Sequence, residues 1–187
     1  MSAALALGNH AIASARVIWD APFMVRFRGV IQALVGLVLL AILLSWNSAD
    51  PSLNVASGLA ATNWLGSNGA VIADLLMQSF GLASGPAAIL LIAFGLASAI
   101  GEAIQQRLQP TPVKALAATG GILSLSAALS SLMAPAAWPL AAGLGGLWGN
   151  AIGGSIANGL SALGIPVAGL IVGLLFTGLA LWLCAYA

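Results

Sequence analysis

The chain has 187 residues, of which 61% are hydrophobic and only 5% are charged, whereas about 25% of the residues in an ordinary soluble domain are charged. Five basic and four acidic residues are too few to cover the water-facing surface of a domain of this size. The net charge of +1 also excludes an electrostatic nucleic-acid groove, which needs clustered Lys and Arg along a phosphate path.

Residues 1–28 precede the first long apolar stretch, and we predict that they form a cytoplasmic segment. No positive charge precedes the apolar run Leu5–Ile12, and the arginines follow it, which is the reverse of a secretory signal. One interpretation is a helix on the membrane surface, with Trp19 and Phe23 toward lipid and Arg16 toward head groups. The alternative is a frayed tail.

Four stretches that follow are long and apolar enough to cross a bilayer as helices. Crossing the roughly 30 Å hydrocarbon core takes about 20 mostly apolar residues, because backbone polar groups find no water there. The predicted spans are approximately residues 29–46, 82–100, 113–133 and 165–186. The fold class expected for residues 29–187 is therefore an all-α integral membrane domain of four transmembrane helices.

The basic residues predict the orientation of these spans. Cytoplasmic loops near span ends carry an excess of Lys and Arg, and here every basic residue lies before span one or beside the turn between spans two and three. The five residues that set this topology are Arg16, Arg26, Arg28, Arg107 and Lys114. Both termini are therefore expected in the cytoplasm, and the loops 47–81 and 134–164, which contain no Lys or Arg, in the periplasm.

The first periplasmic loop contains a turn and an amphipathic segment. The turn is Asp50-Pro51-Ser52, where a structural role for Asp50 is the default and a specific contact is the alternative. From Ala70 to Phe80 the apolar residues follow helical spacing, and Gly81 is placed like a helix C-cap. The segment is too short to span, so an amphipathic helix is expected at the outer leaflet, before span two.

The second periplasmic loop repeats this plan. A glycine-rich stretch precedes a helical segment over 151–163, and Gly164 follows it just before span four. Residues 72–76 align with residues 156–160, although Asn158-Gly159 stands where the first copy has Asp74-Leu75. A second amphipathic periplasmic helix is therefore expected before span four.

Glycines at helical spacing indicate where helix backbones approach each other closely. The two series are Gly145, Gly149 and Gly153, and Gly169 and Gly173. Packing within one subunit and packing between subunits are both compatible with this spacing.

The inventory of reactive side chains does not indicate an enzyme. None of the predicted spans carries Asp, Glu, Lys, Arg or His in its interior, so no proton relay or ion-coupled carrier can be drawn. No phosphate-binding loop, zinc-protease or serine-hydrolase motif is present. His10 is the only histidine and Cys184 the only cysteine, so neither a metal site nor a disulfide within the chain is expected. No cofactor is expected for this chain.

The periplasmic loops carry a resemblance to a known family. The string Asp50-Pro51-Ser52, followed by Asn63-Trp64-Leu65-Gly66-Ser67-Asn68-Gly69-Ala70-Val71-Ile72-Ala73-Asp74-Leu75-Leu76 and then Phe80-Gly81, resembles the N-terminal four-helix membrane domain of the FtsK/SpoIIIE DNA translocases. That family typically shows D-P-S after span one, then L-G-x-x-G-A-x-x-A-D-L-L and F-G before span two. The candidate contact or assembly residues by this resemblance are Asp50, Pro51, Gly66, Gly69, Asp74, Phe80 and Gly81.

The resemblance implies a membrane anchor at the division septum that couples chromosome segregation to cell division. The rest of such a protein would be a linker and a cytoplasmic ATPase motor that moves DNA as a hexamer and uses ATP and Mg²⁺. The implied partners of the membrane domain are the lipid bilayer, further copies in a homo-hexamer and divisome membrane proteins, with DNA contacted only by the motor. The alternatives are a small stand-alone channel or transporter, or an envelope assembly factor.

Overall fold

The computed structural model describes residues 17–56, 58–100 and 111–187, and all regular structure in these ranges is helical. The elements are α1 (Pro22–Leu44), α2 (Gly66–Phe80), a 3₁₀ turn (Gly81–Ala83), α3 (Ser84–Ile100), α4 (Pro112–Leu129), α5 (Gly146–Gly149), a π-helical turn (Asn150–Gly154), α6 (Ser155–Ala162) and α7 (Ala168–Tyr186). The predicted fold class is confirmed.

Within the described residues, four helical runs are long and apolar enough to cross a membrane: Pro22–Leu44, Gly66–Ile100, Pro112–Leu129 and Ala168–Tyr186. The first starts at Pro22, seven residues before the predicted span. A helix accepts proline in its first turn. It also accepts Arg26 and Arg28 near its end, because their long side chains reach water. The third ends at Leu129 instead of residue 133. There the Ser130 hydroxyl donates to the Ala127 carbonyl at 2.7 Å, and such side-chain bonds compete with the helix.

The second run consists of two helices. Ser84–Ile100 has 17 residues and rises about 25 Å, close to the thickness of the hydrocarbon core. The helix α2 is therefore not needed for the crossing. It ends at Phe80, and Gly81 follows in a left-handed backbone conformation, as predicted from the sequence.

The helix before the fourth span is longer than the sequence indicates. It starts at Gly146 instead of Ala151 and passes through the π-helical turn before ending at Ala162. A π turn inserts one extra residue into a helix.

The chain divides into two compact units, and the first consists of residues 1–35 and 91–109. Among its described residues, α1 and α3 are in backbone contact. A Cβ atom on Gly29 would lie 2.7 Å from the Gly95 carbonyl oxygen, and one on Gly95 would overlap the backbone of Ala33. The Arg28 guanidinium lies 3.9 Å from the centre of the Trp19 ring, a favourable cation–π contact.

The second unit consists of residues 36–90 and 110–187. Its longest contact joins α4 and α7, which run antiparallel. Gly121 faces Cys184 at one end of the pair, and Ser131 faces Gly173 at the other. The connecting segments, defined here as residues 45–83 and 130–167, pack on each other within this unit.

Candidate functional site

Asp50 closes the loop that follows α1. Its side chain is only 5% exposed. Its carboxylate accepts hydrogen bonds from the Thr62 backbone N–H at 2.9 Å, the Thr62 hydroxyl at 2.8 Å and the Asn63 backbone N–H at 2.9 Å. Pro51 limits the backbone at the start of the loop. Asp50 therefore joins the start of the loop to its far end at Thr62 and Asn63.

The same hydrogen bonds set the ionisation of Asp50. Burial raises the pKa of this carboxyl, but the hydrogen bonds from Thr62 and Asn63 together outweigh burial, so the pKa lies below its ordinary value of 3.8. Hydrogen bonds that favour the charged form act in this direction.

The lowered pKa predicts a specific pH dependence of the loop. The stabilisation by Asp50 is fully present above pH 3.8, the unfolded-state value, and is lost as the pH falls through the lower folded-state value. We expect the amide exchange protection of Thr62 and Asn63, corrected for intrinsic rates, to stay constant down to about pH 4 and to fall below it. The Asp50→Asn variant should show no such step. Loss of this amide protection well above pH 4 in the native chain would contradict the conclusion that the ionised Asp50 carboxylate stabilises the loop.

Asn63 connects the end of α1 to the start of α2. Its buried side-chain amide donates to the Ile42 carbonyl at 2.8 Å and accepts from the Leu65 N–H at 3.1 Å. The Ile42 carbonyl belongs to the last turn of α1, whose acceptors have no partner within the helix. A Cβ atom on Gly69 would overlap the Asn63 side chain. Position 69 therefore requires glycine if the Asn63 amide is to keep this place.

The two connecting segments meet at Gly81 and Gly146. Gly81 has φ +60° and ψ −140°, a conformation open essentially to glycine alone. A Cβ atom on Gly81 would overlap the Leu144 carbonyl oxygen, and one on Gly146 would lie 2.5 Å from the Gly81 nitrogen. The Leu82 N–H donates to the Leu144 carbonyl at 2.9 Å. The two connecting segments are thus in direct backbone contact at Gly81 and Gly146.

Ser126 of α4 lies where several of the sequence-predicted residues converge. Its side chain is fully buried, and its hydroxyl donates to the Phe80 carbonyl at 3.1 Å. Cβ atoms on Gly145 or Gly149 would overlap the Ser126 carbonyl oxygen, and one on Gly153 would overlap the Ala127 carbonyl oxygen. These three glycines pack against α4 within one subunit.

The remaining predicted residues lie elsewhere. Gly66 begins α2 with φ +66° and has open space around it, Gly173 faces Ser131, and a Cβ atom on Gly169 would meet nothing within 4 Å. Of the topology residues, Arg26 and Arg28 lie in the first two turns of α1 and Lys114 in the first turn of α4. Arg16, Arg107 and His10 lie outside the described residues.

Asp74 lines an open cleft of about 500 Å³ between the connecting segments. The Asp74 side chain is 6% exposed and accepts a hydrogen bond from the Gln78 amide nitrogen at 2.7 Å. The Gln78 amide oxygen in turn accepts from the Asn54 side chain. Asp74 and Asp50 therefore have different surroundings, since Asp50 bonds to its own loop and Asp74 faces a cavity.

The sequence analysis assigned no site role to Asn63, Ser126 or Gln78. Each is a polar residue in an apolar context whose partner is distant in sequence or lies on another element. The position of Asn63 just before α2 resembles a helix cap, which is the one signal that could have marked it. Among the described residues, no three His, Cys, Asp or Glu side chains are placed to hold a metal ion.

Comparisons with known proteins identify the family. Residues 23–185 match the family model described as the 4TM region of DNA translocase FtsK/SpoIIIE. The DNA translocase FtsK of Caulobacter vibrioides is 42% identical over 161 residues, which cover 84% of this chain and 19% of that relative. The FtsK of Agrobacterium fabrum is 35% identical over 164 residues, covering 84% of this chain and 18% of the relative. The FtsK of Rhizobium meliloti is 39% identical over 156 residues, which cover 82% of this chain and 17% of that relative.

This chain thus spans less than one fifth of the length of these relatives. No solved structure matches it. The family match begins one residue after the start of α1 and ends one residue before the end of α7, so it contains all four membrane-competent helices and both connecting segments. The chain therefore belongs to the family of the four-transmembrane (4TM) region of the FtsK/SpoIIIE DNA translocases.

Proposed function

We propose that this chain anchors a DNA translocase in the inner membrane at the division septum and brings its copies together there. The observation that carries the proposal is the family match over residues 23–185, combined with four helices that can cross a membrane. Translocation of DNA, with its need for ATP and Mg²⁺, is assigned to the parts of the relatives that this chain does not match. The chain itself is proposed to be non-enzymatic.

The distribution of charge supports an orientation with both ends in the cytoplasm. All five basic residues lie before or within the first turns of α1, or between α3 and the first turn of α4. The connecting segments 45–83 and 130–167 contain no Lys or Arg. By the positive-inside rule, these segments face the periplasm. A motor attached at either end would then be on the side where the DNA is.

The surface of the spans supports self-association. Fewer than two fifths of the residues in each span are buried within one copy. A groove of about 220 Å³ follows the α4–α7 boundary, and Ser131, Gly169 and Gly173 are among the residues that line it. Small residues permit close approach of a further helix in a membrane. This groove is where we place a contact with another copy in a homo-hexamer.

The alternative of a stand-alone channel or transporter needs a polar pathway through the spans. Apart from Arg26 and Arg28 in the first turns of α1 and Lys114 in the first turn of α4, the helices α1, α3, α4 and α7 contain no Asp, Glu, Lys, Arg or His. Such residues mark most ion and proton pathways. An envelope assembly factor, the third candidate, would act without a motor. A flux assay in proteoliposomes separates the channel from the anchor.

The proposal is tested by fusing these 187 residues to a fluorescent protein in dividing cells. We expect a band at the division septum and a homo-oligomer of the purified fusion in native mass spectrometry. Substitution Gly169→Leu should fill the groove and reduce the oligomeric fraction by about ten-fold or more, because an added large side chain prevents close helix approach.

Gly159→Leu is the matched control, since a Cβ atom at either glycine meets nothing within 4 Å. This control variant should assemble like the native chain. A fusion that is spread evenly over the membrane would contradict the septal anchor. A monomer, or equal assembly of the two variants, would contradict self-association through this groove.

A further inference from the structure

The cleft beside Asp74 combines one acidic group with apolar walls. More than half of the lining residues are apolar, Val55, Leu75, Leu140 and Leu147 among them, and Asp74 is the one charged residue beside four uncharged polar residues that include Gln78. A lysine or arginine side chain has the complementary form, with an apolar stem and a charged end. The shape and chemistry of the cleft therefore match a basic side chain better than a purely apolar one.

Asp74 has unused capacity for hydrogen bonds. A carboxylate can accept about four hydrogen bonds, and among the described residues Gln78 alone donates to it. Buried carboxylates are normally paired with a cation or fully hydrogen-bonded, because burial without such partners is costly. The contrast with Asp50, which accepts three bonds from its own loop, shows that this chain can satisfy a buried carboxylate where stability requires it.

The basic group that would complete the site is absent from this face of the chain. Connections one and three of a four-span protein lie on the same side, and in this chain neither contains Lys or Arg. A second copy therefore has no basic residue to offer from its own connecting segments. A cation that pairs with Asp74 would therefore come from outside the connecting segments of this chain and of its copies.

We propose that this cleft receives a lysine or arginine side chain from the periplasmic segment of a different membrane protein at the septum, with its charged end on Asp74 and its stem between Leu75, Leu140 and Leu147. The inference deepens the proposed septal anchor and rests on it. Asp74 positions the partner through charge, and the apolar walls exclude water around the pair.

The test uses photo-crosslinking in living cells that express the protein from its native gene. A photoreactive amino acid replaces Leu147, which lies on the wall of the cleft and is 61% exposed. We expect a crosslinked product with one other protein, and its crosslinked peptide should contain a Lys or Arg. Asp74→Asn should lower the yield at least about ten-fold, since it removes the charge of a buried ion pair.

Asp74→Asn keeps an oxygen that can accept from Gln78, so the fold should persist. Asp74→Glu should restore part of the crosslink, and Asp20→Asn, at an exposed acid remote in sequence, should leave it unchanged. Septal fluorescence of each variant is recorded in the same cells. Loss of the crosslink in a septal Asp74→Asn protein supports the proposal, as does a charge-reversing suppressor of Asp74→Lys in the crosslinked protein.

Four outcomes would overturn it: a crosslink that is equally strong in Asp74→Asn, a crosslinked peptide without a basic residue, a crosslink to a second copy of this chain, or a crosslink to lipid alone. Each of these outcomes counts against the cleft proposal when the native protein is found at the septum. If the native protein is not found at the septum, the proposed anchor fails first.

Discussion

Gly81→Ala is expected to lower the free energy of unfolding by about 3 kcal/mol or more. Two effects add up. Alanine rarely adopts the φ +60°, ψ −140° conformation of this residue, which by itself costs roughly 1–3 kcal/mol. Its Cβ atom would also overlap the Leu144 carbonyl oxygen, and neither backbone can move without loss of the bond from the Leu82 N–H. Reversible unfolding in mixed micelles, followed by circular dichroism, measures the change.

Gly159→Ala is the control for this substitution. Gly159 lies in α6, and an added Cβ atom would meet nothing within 4 Å. Alanine in an exposed helical position should be neutral or should stabilise by about 0.5–1 kcal/mol. If both variants unfold at the same denaturant concentration as the native chain, the contact between Gly81 and Gly146 does not stabilise the fold.

Asp50→Ala is expected to release the loop over residues 51–61. The substitution leaves the Thr62 N–H, the Thr62 hydroxyl and the Asn63 N–H without their acceptor. Of these donors only the Asn63 N–H belongs to a buried residue, and a buried donor without a partner costs about 1–3 kcal/mol. The local stability should therefore fall by about that amount, and amide exchange at Asn63 should become about 10-fold or more faster. Asn63 should also lose its position below the last turn of α1. Hydrogen exchange with mass spectrometry measures both regions.

The control is Asp20→Ala, which removes an exposed carboxylate and should leave exchange in the loop unchanged. Asp50→Asn should be intermediate, because the amide nitrogen cannot accept from Thr62 and Asn63. Native-like exchange in Asp50→Ala would show that the loop is ordered by other contacts, such as the Trp46–Trp138 ring pair at 6.2 Å.

The sequence was sufficient to predict the four spans, because backbone polar groups must be satisfied within lipid and a run of about 20 apolar residues meets this need as a helix. It also predicted the end of α2 at Gly81, since a glycine after an amphipathic segment is a common helix end. The start of α1 at Pro22 was not predicted. The prediction counted apolar residues only, whereas the backbone can continue a helix through Arg26 and Arg28 at the membrane surface.

The site was less predictable because its contacts are not local. Nothing in the run Leu125–Ala128 marks Ser126 as the partner of Phe80, which is 46 residues away. The spacing of Gly145, Gly149 and Gly153 indicated close packing but not the packing partner, which the structure identifies as α4. The repeat linked Asp74 to the amphipathic helix, yet the cleft depends on residues 139–142 of the other connecting segment, which no periodicity places beside it.

The antiparallel pair of α4 and α7 has a mechanical consequence. The facing positions extend from Gly121 and Cys184 to Ser131 and Gly173, a length of about 15 Å along α4. A force applied to Ala187 along the axis of α7 would act in shear on the contact between α4 and α7. All side-chain contacts along that length would then have to break at the same time. A sideways pull would separate the helices one turn at a time and would need less force. The α4–α7 pair therefore resists tension along the axis of α7 better than tension across it, a property that suits the anchoring role proposed above.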